Sequence, residues 1–72
     1  MLEWHELDSG EIIFLDNGNE IARVNNRSEL IELLDETNSI EILEAPIYAA
    51  NGMPLVRKGD RFFYDMEITH EA

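Results

Sequence analysis

The sequence predicts an α+β fold: a small, curved antiparallel sheet of five to seven short strands with one amphipathic helix packed on it. Three observations lead there. Turn signals cut the chain into short extended runs, one stretch near the middle has helical periodicity, and the hydrophobic content of 44% is ordinary for a folded protein. The chain has 72 residues, enough for one core but not two, so residues 1–72 read as a single domain.

Asp8-Ser9-Gly10 separates an extended run over residues 2–7 from another over 11–15, and Asp16-Asn17-Gly18-Asn19 separates the latter from 20–24. Asn17-Gly18 suits the positive φ angles of a tight hairpin turn, so these runs form a three-stranded meander. Ile12, Ile13, Phe14 and Leu15 are uninterrupted apolar residues, which predicts a strand buried on both faces. Ser28 then reads as the N-cap of a helix over residues 28–37. On a wheel of about 100° per residue, Leu30, Ile31, Leu33 and Leu34 share one arc, and Glu29, Glu32, Asp35 and Glu36 share another. Strands return over residues 40–43, with Ile40 and Ile42 on one face, and then over 47–50, 53–57 and 61–68. Asn51-Gly52 and Lys58-Gly59-Asp60 supply the turns, and Pro46 and Pro54 mark edge positions or strand starts. In the last strand Phe62, Tyr64, Met66 and Ile68 are expected to face the core.

Charge is the most unusual property of the chain. Sixteen acids face five bases, for a net charge of −11. Such a field opposes compaction and draws in cationic partners. Residues 1–22 contain six acids and no Lys or Arg, and residues 28–55 contain six more and again no base. Four carboxylates between Glu29 and Glu36 span about 10 Å of helix, or one per ~3 Å. One strand of B-form DNA carries a charge every ~3.4 Å. With Glu41 and Glu44 following, the row could imitate a phosphate backbone. The bases, Arg23 with Arg27 and Arg57 with Lys58 and Arg61, either form internal ion pairs or rim a binding patch. Trp4 either pins the first strand or serves as an aromatic anchor in an interface.

Other chemistries find little support in the sequence. There is no cysteine, which excludes disulfides and thiolate metal sites and favours an intracellular compartment. His5 and His70 are the only imidazoles and have no accompanying metal-ligand pattern. The segment from Asp16 to Glu20 lacks EF-hand spacing. No nucleophile grouping or phosphate loop is present, so no catalysis and no cofactor are expected. No apolar run approaches the ~20 residues of a membrane span. The acidity disfavours anionic lipid and nucleic acid as direct partners. A cytoplasmic protein is expected, and a homodimer would supply apolar burial that a small domain lacks.

In size and charge the chain resembles the small acidic DNA-mimic proteins that phages make to disable host factors, on the strength of Glu29, Glu32, Asp35, Glu36, Glu41 and Glu44. The resemblance implies a non-catalytic inhibitor in the host cytoplasm, binding a basic nucleic-acid-binding protein such as a nucleoid protein or nuclease. The partner-binding residues would be those six acids with Trp4. The alternative is a regulatory interaction domain, such as an antitoxin, an immunity-type partner or an assembly subunit, that recognises one specific basic surface.

Overall fold

The computed structural model describes residues 1–65. Six strands and two helices follow in the order β1 (Leu2–Glu6), β2 (Ile12–Asp16), β3 (Asn19–Val24), α1 (Arg27–Glu36), α2 (Ile40–Glu44), β4 (Ile47–Tyr48), β5 (Pro54–Lys58) and β6 (Arg61–Tyr64). The fold is α+β, and the strands form one sheet in the order β3-β2-β1-β4-β5-β6.

The sheet is mixed and not wholly antiparallel, because β4 runs parallel to β1, with Trp4 opposite Ile47. A parallel pair cannot be closed by a hairpin and needs a long crossover. Here α1 and α2 provide it, carrying the chain from the β3 edge back to the middle of the sheet.

The hairpins follow the turn residues. Asp16 pairs with Asn19, and the two residues between them, Asn17 at φ 52° and Gly18 at φ 89°, have the two positive φ angles of a type I′ turn. β3 is an edge strand with a register shift opposite Phe14/Leu15, and such a bulge blunts an open edge.

Two expectations about the helical region also need correction. The first helix is capped by Asn26, whose side chain accepts from the Glu29 N–H at 2.9 Å, and not by Ser28. Asn and Ser cap equally well, but Glu29 stands three residues after Asn26, the spacing of a capping box. The second concerns residues 40–43, which form part of α2 and not a strand. Ser39 caps this helix by accepting from the Ile42 N–H at 3.3 Å, the Leu43 N–H donates to the Ser39 carbonyl at 3.1 Å, and Glu41, Leu43 and Glu44 are good helix formers. The Ile40/Ile42 alternation misled because only Ile42 packs on the core, while Ile40 is 65% exposed.

Both helices pack on the sheet face that carries Trp4, Ile12, Phe14 and Val24; α1 adds the buried Leu30 and Leu34, and α2 the half-buried Ile42. Trp4 stacks on Phe14 with ring centroids 4.2 Å apart. Ile12 and Phe14 are buried, whereas Ile13 and Leu15 on the other face are only half-buried, so β2 is not enclosed on both sides. In β6, Phe62 and Tyr64 point to the helix side, as expected, and the strand ends at Tyr64. Met66, Ile68 and His70 lie outside the described residues.

Candidate acidic interface

Six carboxylates and Trp4 are the sequence-predicted partner-binding groups, and the fold treats them in four different ways. Trp4 is only 1% exposed. Its backbone N–H donates to the Pro46 carbonyl at 2.8 Å, and its indole Nε1 points at the Ile42 carbonyl, 3.5 Å away. It therefore joins β1 to the helical crossover and cannot serve as an interface anchor. Glu3 and Glu6 flank it in sequence, but strand alternation and burial put Trp4 on the helix face, under α1 and α2.

Glu29, Glu32 and Glu36 lie at i, i+3 and i+7 of α1, a spacing that keeps them on one side of the helix. They rim a groove of about 500 Å³ whose floor is Val24, Leu33 and Ile42. Glu32 and Glu36 are exposed. Glu29 is fixed in place: its carboxylate accepts from the Asn25 N–H at 2.8 Å and from Asn25 Nδ2 at 3.2 Å. These bonds, the backbone one foremost, hold its pKa below the usual carboxylate value.

Asp35 faces a different neighbour. Arg57 Nη2 on β5 donates to its Oδ1 at 2.7 Å, and Arg57 Nε donates to the Gly59 carbonyl at 2.6 Å. Asp35 therefore helps hold α1 to the sheet. Glu41 and Glu44 lie three residues apart on α2, both exposed, and border a second depression of about 470 Å³ together with Met1, Leu2 and Asp16.

The arginines explain this sorting. Arg27 grips Glu6 with two bonds, Nε to Oε2 at 2.7 Å and Nη2 to Oε1 at 2.8 Å, while its guanidinium lies 5.9 Å from the Phe62 ring centre. The hydrogen bonds from Arg27 hold the Glu6 carboxyl below its ordinary value. Arg23 takes Glu20 through two nitrogens, at 3.0 and 2.8 Å, and Glu11 through a third at 3.0 Å. These bonds lower the pKa of Glu20 and raise that of Arg23 further. Three arginines thus serve Glu6, Glu11, Glu20 and Asp35. Among the ion pairs of the described residues, none involves Glu29, Glu32, Glu36, Glu41 or Glu44.

The apolar floor escaped the sequence reading, because it exists only once α2 is a helix that turns Ile42 toward α1. Ser39 followed by Glu and Leu was the signal that could have revealed it. Among the described residues no helix is long and apolar enough to cross a membrane. No protein-family model, curated protein or solved structure matches the chain.

Proposed function

We propose that this protein is a non-catalytic inhibitor that presents the acidic side of α1 and α2 to the nucleic-acid groove of a basic partner and excludes DNA from it. The observation that carries this reading is the segregation of the carboxylates. Arginines pair with Glu6, Glu11, Glu20 and Asp35, while five acids on consecutive helices form no ion pair among the described residues. With Asp35 paired to Arg57, three unpaired carboxylates remain along ~10 Å of α1, one per ~5 Å, which is wider than the ~3.4 Å of one DNA strand, so the reading rests on a continuous anionic side and not on matched spacing. Attraction of this kind speeds encounter and weakens with salt, since exposed charges are screened beyond ~8 Å at physiological ionic strength.

The test is competition. The protein is titrated into a complex of labelled DNA with a basic nucleoid protein, and release of DNA is followed by fluorescence anisotropy at rising salt. Salt-sensitive release is expected. Unchanged anisotropy across a panel of basic DNA-binding proteins would remove the reading.

One observation favours the second reading, recognition of one specific basic surface. α2 exposes Ile40 at 65% and Leu43 at 48% beside Glu41 and Glu44, and a phosphate backbone has no counterpart to these side chains. Pull-down from a lysate with and without competing DNA separates the two. Mimicry gives several nucleic-acid-binding proteins that DNA competes away, whereas specific recognition gives one partner that DNA leaves in place.

A further inference from the structure

The groove beside α1 combines two chemistries that a plain row of charges would not need. Its floor is apolar, with Val24 buried and Leu33 and Ile42 half-buried. Its rim holds Glu29, Glu32 and Glu36, and among the described residues no basic side chain lines it. The depression, of about 500 Å³, is wide open to solvent, which suits an element laid across it and not an enclosed small ligand. From Glu29 to Glu36 the rim runs about 10 Å, or roughly two helical turns.

From this arrangement we infer that the groove receives a cationic amphipathic helix of the partner, its apolar side chains on Val24, Leu33 and Ile42 and its Lys or Arg side chains against Glu29, Glu32 and Glu36. The inference rests on the acidic-surface reading above and adds the form of the partner's binding element. Charge complementarity selects the occupant. A second copy of this chain would bring its own net negative charge to a rim that is already anionic, and an apolar helix without bases would leave Glu32 and Glu36 desolvated and unpaired, which is costly. A helix lying in a groove places apolar anchors at i, i+3 or i+4 spacing, within the reach of a rim about two turns long.

The probe is a synthetic helix of about four turns with lysine on one side and leucine on the other, compared with a peptide of equal charge in which serine replaces leucine. Affinity is measured by titration, and the site is mapped by amide chemical-shift changes in the labelled full chain. The leucine peptide is expected to bind at least about tenfold more tightly, with the largest shifts at Val24, Leu33 and Ile42. The exposed pair Glu32→Gln with Glu36→Gln is expected to weaken both peptides. Equal affinities, or shifts centred elsewhere, would overturn the groove assignment while leaving the acidic-surface reading in place. Failure of both peptides to bind would overturn the two together.

Discussion

The two helices carry six acids and the first three strands with their turns carry another six, yet their carboxylates live differently. Glu6, Glu11 and Glu20, on or beside β1, β2 and β3, each accept hydrogen bonds from an arginine. On α1 and α2 only Asp35 has such a partner. Acids of the first group contribute to cohesion, since they tie β3 to β2 and α1 to β1. In the second group Glu29 is held by Asn25 and stands in a first turn, but Glu32 and Glu36 repel each other at i,i+4 and Glu36 stands in the last turn of α1, where the helix dipole disfavours negative charge. Glu32, Glu36 and Glu44 therefore carry charge that no ion pair among the described residues offsets, where the strand acids support the fold, and this contrast makes the helical side the candidate interface.

The contrast is broken most severely through the residue that joins the two regions. Trp4 packs under both helices from β1, so Trp4→Ala is expected to cost about 3–5 kcal/mol. A domain of this length has roughly 4–11 kcal/mol in total. Urea unfolding should show most of the stability gone. A loss under ~1 kcal/mol would mean that Trp4 is not part of the packed core.

The next effect belongs to the paired side. Glu6→Gln keeps the shape but removes the charge that Arg27 holds, in a partly buried two-bond pair worth about 1–3 kcal/mol. The Glu6 pKa is depressed in the folded chain, so the contribution is fully present above the ordinary value of about 4.5. It fades as pH falls through the lower folded value. The stability gap between wild type and Glu6→Gln should therefore be constant from pH 7 to 5 and close below pH 4.5. A gap that persists at pH 2.5 would point to packing and not charge.

Much of this was legible in the sequence, and the reasons are local. Asn17-Gly18 specifies its turn by backbone conformation alone, and the α1 periodicity placed Leu30 and Leu34 inside. The parallel pairing of β1 with β4 was not legible, because it depends on contacts between residues more than forty positions apart. Ile40-Glu41-Ile42 was ambiguous between period 2 and a helical turn, and the choice was made by Ser39 capping and by the need to cross the sheet. The groove inherited that ambiguity, since Ile42 forms its floor only from a helix. The charge sorting was hidden because Arg27 and Glu6, or Arg57 and Asp35, meet only in three dimensions.

The smallest expected effect is also the sharpest, because stability and binding should move in opposite directions. Glu36 lies one turn after Glu32 and close to the negative end of the α1 dipole, with no basic residue in the last turn. Glu36→Lys replaces an i,i+4 repulsion with a Glu-to-Lys pair in the favourable order and places a cation where the dipole wants one. Thermal unfolding should show a gain of roughly 0.5–1.5 kcal/mol. The same change puts a positive charge on the rim of the groove, so displacement of DNA from a basic partner should weaken and become less sensitive to salt. A helix shaped only for its own stability would gain from this substitution and lose nothing. A variant that is more stable and equally able to displace DNA would therefore show that the acids of α1 are ordinary solvated groups and that the binding surface lies elsewhere.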